Sequence, residues 1–407
     1  MKELLCCTMD IGEQMLVCGA EVHRVEDSIK RMCLALGASR VDIFIITSSM
    51  IATVYDESGT AFTQTRRIMG TGTDIERLHR LNQLSRTICE KKPSVEQIRA
   101  DYQSILNCRP YPFWLECLSY GIIAASFALF FGGTATEGAV SFFVGILLKF
   151  VILLTDKTVL NKIFSRLLAT FLACALGYGA VKMGWIANID MVIIGNIMTL
   201  IPGVGLTNAL RDLLTGDSMT GLLRLIEAAI TALAIAAGYI LFVCMPGYER
   251  LETARAMNPE ILQIVTGFLG SLGFAILYNI RGKKLLFAAL GGFLSWTIFV
   301  LLQFWIPGEA LRYFAVAVTI SVYAEIMARL LKTPTTTFLI TSLIPLIPGG
   351  SLYYTMSSAL EGNLNGFLDR GLYTLQLAIA LALGIVLTTA VAKLIPHAAH
   401  HGRIQKK

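Results

Sequence analysis

Two prolines stand beside glycines in runs that carry no charged residue. Pro202-Gly203-Val204-Gly205 lies within Met191–Leu210, and Pro348-Gly349-Gly350 lies within Thr335–Leu360. Pro202 is the twelfth residue of its run and Pro348 the fourteenth, so both fall near the middle of a segment long enough to cross a bilayer. A proline inside a helix removes one backbone hydrogen bond and costs about 3 kcal/mol. The unwound turn also leaves amides and carbonyls that lipid cannot satisfy, so such a break persists only against protein, water or a ligand. Gly203, Gly205, Gly349 and Gly350 carry no side chain and let a ligand come close to the backbone. Half-helix ends there could offer amides to a carboxylate or phosphate and carbonyls to an ammonium group or cation. Asn196, Thr199, Thr207 and Asn208 flank the first break; Thr341, Ser342, Ser351, Tyr353, Tyr354 and Thr355 flank the second. This chemistry suits a small zwitterionic or anionic solute. The competing reading is a pair of proline kinks that pack helices. The matched depth of the two breaks favours the solute site.

Few ionisable residues fall within the apolar segments. Glu227 and Glu325 are the deepest carboxylates. Buried, either could carry a proton. Arg224 precedes Glu227 by three positions and Arg329 follows Glu325 by four, so the simpler expectation is an ion pair in each case. Arg211 and Asp212 follow the first break, where they attract solute or anchor the segment. Near the N-terminus, Glu21, His23, Glu26 and Asp27 could suggest a metal or acid–base site. His23, however, shares the apolar stripe with Ala20, and Glu26 and Lys30 are spaced as an i,i+4 pair, which favours a structural helix; His79 reads the same way. Ser48 and Ser49 lack a nucleophile-elbow context, and no G-x-x-x-x-G-K-[ST] motif is present. The nine cysteines form no C-x-x-C pair and read as free thiols. No metal, cofactor or nucleic-acid partner is expected.

The elements that hold these residues follow from composition. The chain has 407 residues, 55% of them hydrophobic and 15% charged, with a mean hydropathy of +0.65. That is too apolar for an ordinary soluble protein and points to an all-α polytopic membrane protein preceded by a small α+β domain. Residues 1–112 hold 14 basic and 14 acidic side chains, whereas 113–407 hold 20 and 14. In the first part, apolar residues recur at helical spacing from Lys2 to Leu36, and Gly37 is placed to end that helix. VDIFIIT, MIATVYD and AFTQTRR have strand composition. Two helices follow over 74–91 and 94–106, with Thr73 or Asp74 and then Ser94 as caps, and Gln97 placed for a capping box. Asp10 and Glu13 interrupt the first apolar run, which argues against a cleaved signal peptide.

Ten apolar segments follow, at about 113–132, 138–155, 163–182, 189–210, 222–244, 260–280, 285–306, 311–331, 335–360 and 372–395. With the N-terminal domain inside, the inner loops and tail hold 15 Lys/Arg and the outer loops 5. That bias places both termini in the cytoplasm. The two halves, 113–250 and 251–407, resemble each other. LIPGVGLTNAL at 200–210 aligns with LIPGGSLYYTM at 346–356, a shift of 146 that also pairs Gly216 with Gly362, Gly238 with Gly384 and Arg166 with Arg312. A shift of 147 pairs Phe127-Ala128 with Phe274-Ala275 and Gly145 with Gly292. Five spans is an odd number, so the second copy must enter from the opposite side, which makes an inverted repeat of the kind found in secondary transporters.

GAEVHRVEDSIKRMCLALG, LIPGVGLTNALRDLLTGD and AEIMARLLKTPTTTFLITSLIPLIPGGSLYY together resemble the bacterial threonine/serine exporter family over nearly the whole chain. The resemblance implies a cytoplasmic N-terminal domain, ten spans in the inner membrane, and export of small amino acids driven by the proton motive force. Some relatives split the halves into two chains and are linked to dicarboxylates such as succinate. The matching positions are Pro202, Gly203, Asn208, Arg211, Asp212 and Gly216, then Glu325, Arg329, Pro334, Pro345, Pro348, Gly349 and Tyr353. The expected partners are a small solute, the proton and the bilayer. The oligomeric state stays open, a homo-oligomer included. A dicarboxylate exporter, a membrane-embedded enzyme and a passive channel are the alternatives.

Overall fold

The computed structural model describes residues 1–70, 72–156, 162–245, 259–360 and 362–404. Lys157, Arg250, Arg255, Lys406 and Lys407, which enter the loop-charge count, lie outside the described residues. The chain divides into two compact units: Met1–Tyr111 with Tyr278–Arg281, and Pro112–Leu277 with Gly282–Lys407.

The first unit is α+β. Helices α1 (Lys2–Val17) and α2 (Val22–Ala35) precede strands β1 (Arg40–Ile46), β2 (Ser49–Tyr55) and β3 (Ala61–Arg67); α3 (Ile75–Lys91) and α4 (Val95–Leu106) follow. The single helix expected over 2–36 is broken. Gly19 adopts φ +94°, its N–H donates to the Leu16 carbonyl and the Ala20 N–H to the Met15 carbonyl. This pattern ends a helix and requires a left-handed residue after the cap; Gly37 ends α2 in the same way, as expected, at φ +100°. The strands form an antiparallel sheet in the order β1-β2-β3, with Arg40 opposite Tyr55 and Ser49 opposite Arg67. Alternation along β2 turns Met50, Ala52 and Val54 into the core, where Leu5, Met9, Ile29, Met32, Leu78 and Leu81 are also buried.

The caps fall where the sequence puts them. Asp74 accepts from the Arg77 N–H at 3.0 Å and Ser94 from the Gln97 N–H at 3.3 Å. The return half of the expected capping box is absent, because the Gln97 side chain donates to Asp101 instead. The acidic stretch on α2 also differs from expectation. His23 is half-exposed and faces Glu21 at 3.6 Å, and Glu26 accepts from the Ile45 N–H at 3.1 Å instead of pairing with Lys30. A carboxylate that satisfies an amide of β1 has a structural reason to be there. Among the described residues no group of three or more His, Cys, Asp or Glu could hold a metal ion. Residues Tyr278–Arg281 complete this unit: the Tyr278 carbonyl accepts from the Ile75 N–H, and the Asn279 amide donates to Asp74.

Burial pushes the Cys18 thiol up to about 12 and the Cys33 thiol up to about 11. The thiolate is the nucleophile. At pH 8 both should therefore resist maleimide, while the partly exposed Cys6 and Cys108 react within minutes. Peptide mapping by mass spectrometry checks this, and labelling of Cys33 as fast as Cys108 would contradict the packing of α2.

The second unit is helical. Its elements are α5 (Phe113–Phe130), α6 (Ala135–Asp156), α7 (Lys162–Lys182), α8 (Ile189–Ile197), α9 (Gly203–Thr215), α10 (Ser218–Val243), α11 (Glu260–Leu277), α12 (Lys283–Leu302), α13 (Glu309–Leu331), α14 (Thr336–Leu343), a 3-10 turn (Ile344–Leu346), α15 (Gly349–Leu360) and α16 (Leu364–Ile404). Among the described residues, α5, α6, α7, α10, α11, α12, α13 and α16 are each long and apolar enough to cross a membrane. A ninth span results if α14 and α15, bent by 48° at their break, count as one. The remaining expected span, 189–210, is divided between α8 and α9, which are too short separately.

Small residues set the helix crossings. A Cβ on Gly145 of α6 would lie 2.7 Å from the Tyr120 carbonyl oxygen and 2.9 Å from the Ala124 Cβ. On Gly292 of α12 it would meet the Ser271 side chain and the Gly267 carbonyl, residues 147 positions beyond Ala124 and Tyr120. On Gly238 of α10 it would strike the Leu167 carbonyl and the Thr170 Cβ; on Gly384 of α16, the Phe314 carbonyl and the Ala317 Cβ.

Candidate functional site

The first break begins where α8 ends. Residues 198–202 leave the helix, and Pro202, at φ −79° and ψ 43°, precedes α9 without giving it a side-chain cap. The interruption frees carbonyls, and the Leu200 oxygen is taken by Arg166 Nη1 of α7 at 2.8 Å. The second break runs from α14 through the 3-10 turn to Ile347, which is extended at ψ 126°, and α15 starts at Gly349.

The two breaks cross each other. A Cβ on Gly203 would collide with the Ile347 side chain, and one on Gly349 would collide with Met198 and come within 3.6 Å of Ile201 Cδ1. Gly349 and Ile347 are 146 positions beyond Gly203 and Ile201, so the contact is reciprocal. Beside it lies a cavity of about 110 Å³. The first break contributes Ile201, Pro202, Gly203 and Leu206, and the second Ile347, Pro348 and Leu352. Leu225, Ala228, Ala229 and Ala232 of α10 and Thr374 of α16 complete the lining. Ligand sites for drug-sized molecules run to roughly 300–1,000 Å³; this one fits a solute of a few heavy atoms.

Of the residues expected to bind solute, the structure brings Pro202, Gly203 and Pro348 to the cavity wall. Gly349 stands at the crossing and Gly350 packs against the Phe131 ring, while Gly205 faces Pro202. Thr207 turns its hydroxyl back to the Gly203 carbonyl at 3.1 Å. Asn196 is fully buried and its amide donates to the Val192 carbonyl, while its Oδ1 has no partner among the described residues. Asn208 is half-buried on α9. Tyr353 is 2% exposed; its hydroxyl donates to Asp190 Oδ1 at 3.0 Å and ties α15 to α8. Tyr354 lies under the Arg370 guanidinium.

The charged expectations divide differently. Arg211 and Asp212 are buried, and Asp212 receives Arg224 Nη1 at 2.6 Å and Arg211 Nη2 at 3.4 Å. The expected Arg224–Glu227 pair does not form. The α9–α10 turn carries Arg224 across to Asp212, and Glu227 is left exposed on α10. Glu325 does pair with Arg329, at 3.0 Å, and also accepts from the Thr335 hydroxyl. Asp190 stands just outside the uncharged run, and no local signal pairs it with Tyr353. Arg166 carries no local signal beyond a loop charge and a repeat match.

Two family models, both described as threonine/serine exporter (ThrE), match the chain: one over residues 7–245, more than half of its length, and the other over residues 263–391. The chain belongs to the threonine/serine exporter family. A Corynebacterium glutamicum protein named “Threonine/serine exporter” is 22% identical over 403 residues, which cover 94% of this chain and 81% of that one. The Escherichia coli K12 protein named “Probable succinate transporter subunit YjjP” is 23% identical over 239 residues, 58% of this chain and 92% of that one. Its Klebsiella aerogenes namesake is 23% identical over 230 residues. No solved structure matches the chain. Membership in the exporter family makes this a multi-pass membrane transporter with a small-molecule substrate, and it supports export of amino acids over an enzymatic role.

Proposed function

We propose that the protein exports threonine, serine or a similar small amino acid in exchange for protons, by alternating access around the two crossed breaks. The bundle then has ten spans, with α8–α9 and α14–α15 as broken ones, arranged as two five-span repeats of opposite orientation. In this reading residues 1–112 and the C-terminus are cytoplasmic, as the loop charges favour. The observation that carries the proposal is the reciprocal contact: Gly203 against Ile347, and Gly349 against Ile201. A residue that meets the counterpart of its own neighbour, and the reverse, is the signature of a two-fold relation between the parts. Gly145 and Gly292, and Gly238 and Gly384, meet equivalent partners at equivalent crossings and support the same relation. Two breaks that meet at such an axis put both helix interruptions at one point of the bundle, where a rocking motion would open the amides and carbonyls they free to either side. The N-terminal end of α9, which lacks a side-chain cap, offers amides to a carboxylate there.

The test is reconstitution into vesicles containing labelled threonine, serine or succinate, with and without an imposed pH gradient. Uphill movement of the amino acids that stops when the gradient collapses is the expected result. The names of the Escherichia coli and Klebsiella aerogenes relatives favour a second reading, a dicarboxylate exporter, which stands if succinate moves and the amino acids do not. Gradient-independent equilibration would identify a passive channel.

A further inference from the structure

We propose that Arg166 is the anchor for a carboxylate of the transported solute, a binding role that rests on the transport reading above and specifies its chemistry. Arg166 rises from the first turn of α7 and is half-buried. One of its five N–H groups is spent on the Leu200 carbonyl, freed by the first break. Leu200 immediately precedes Ile201, Pro202 and Gly203, all of which line the cavity. That bond holds the guanidinium at the first break, one residue before the cavity lining begins at Ile201, and no further partner meets it among the described residues.

Among the described residues no carboxylate faces this charge. Among the described side chains of the second unit, Arg211 and Arg224 sit on Asp212 and Arg329 on Glu325. Arg312 and Arg370 lie over the rings of Phe299 and Tyr354. Among the described residues, Arg166 meets neither a carboxylate nor a ring. A half-buried cation in a bundle of this apolarity is costly unless something meets it. A guanidinium offers a planar fork that fits a carboxylate with two parallel hydrogen bonds. The cavity lining has no charged group of its own, so a charged solute entering it needs a counter-charge from just outside the wall. The corresponding position in the second half does not repeat the arrangement. Arg312, 146 positions on, lies over Phe299 with its Nε buried and without a partner among the described residues, and it does not cap the second break. Among the described residues the arrangement occurs at the first break and is not repeated at the second. Amino acids and dicarboxylates share this feature, so the anchor is common to both cargo readings.

The experiment is equilibrium binding to the full-length protein in lipid nanodiscs, with labelled threonine and labelled succinate as probes. Each is competed with its own unlabelled form and with threonine methyl ester or dimethyl succinate, which carry no carboxylate. For whichever probe binds, the wild type should prefer the free acid over the ester by about tenfold or more, as the loss of a charge-assisted hydrogen bond implies. In Arg166→Gln the preference should fall to about twofold or less. Arg166→Lys, which keeps the charge and loses the fork, should fall between. If Arg166→Gln binds and still prefers the free acid as strongly as the wild type, the inference fails; the arginine then props the Leu200 carbonyl or meets a lipid phosphate. If the wild type binds neither threonine nor succinate, the proposed cargo class fails and takes this inference with it.

Discussion

Gly203→Leu is expected to abolish transport while the protein still inserts and remains a folded species on size exclusion. The smallest side chain already collides, because a Cβ at this position meets Ile347 across the crossing of the two breaks. Overpacking a well-filled contact costs about 1–3 kcal/mol. Under the proposed alternating access, a rocking motion through this contact would have no slack to absorb it. Gly203→Ala should therefore lower transport by about tenfold, the rate equivalent of 1.4 kcal/mol. Ile347→Ala in the same chain should restore most of that loss by making room. Gly349→Ala should behave in the same way and be relieved by Met198→Ala, since Met198 is the side chain that its Cβ would strike. The measurement is labelled-solute flux in proteoliposomes, normalised to inserted protein. Near-normal flux in Gly203→Leu and in Gly349→Leu would place the transport path elsewhere. Failure of the paired alanines to rescue would show that the loss comes from some cause other than the crossing.

The second large effect is expected at Asp212. Its carboxylate sits between two arginines, with side-chain exposures of 8% for Asp212, 9% for Arg211 and 20% for Arg224. Removing the acid leaves two cations out of water with no compensating charge, a loss that typically costs 3–5 kcal/mol. Asp212→Asn should lower the melting temperature by on the order of ten degrees. The double variant Asp212→Asn/Arg224→Gln should lose less than the sum of the single changes, because neither alone leaves the cluster balanced. Glu227→Gln is the control. Glu227 is exposed and its expected partner is engaged elsewhere, so the change should stay within about 0.5 kcal/mol. Thermal unfolding followed by fluorescence-detected size exclusion reads all three. An Asp212→Asn protein that melts with the wild type would remove the cluster from any account of stability.

The elements were legible wherever a local signal fixes them. The three strands lie within a residue of their β-branched runs, and Asp74 and Ser94 cap the helices they precede, since strand composition and capping act over a few residues. Pro202 and Pro348 break their segments where the sequence puts them. The first helix was misjudged for an instructive reason. Apolar spacing continues across Gly19, so periodicity alone joins two helices that a left-handed turn separates.

The site was legible as two breaks and illegible as one place. The sequence could supply polar residues near each proline, but whether Thr207 faces a cavity or its own backbone depends on the neighbouring helix. Arg224 is three positions from Glu227 and twelve from Asp212, and the α9–α10 turn favours the more distant partner. Asp190 and Tyr353 are 163 positions apart and share a hydrogen bond that no spacing rule could foresee.

Hydropathy, proline and turn chemistry act over a few residues, so an apolar multi-span chain, a small α+β region at its start and two interrupted segments can be read without a fold. Packing alone settles that the two interruptions touch, which glycine faces which isoleucine, and which acid each arginine finds. Those are contacts between helices far apart in the chain, and only close packing in three dimensions selects them.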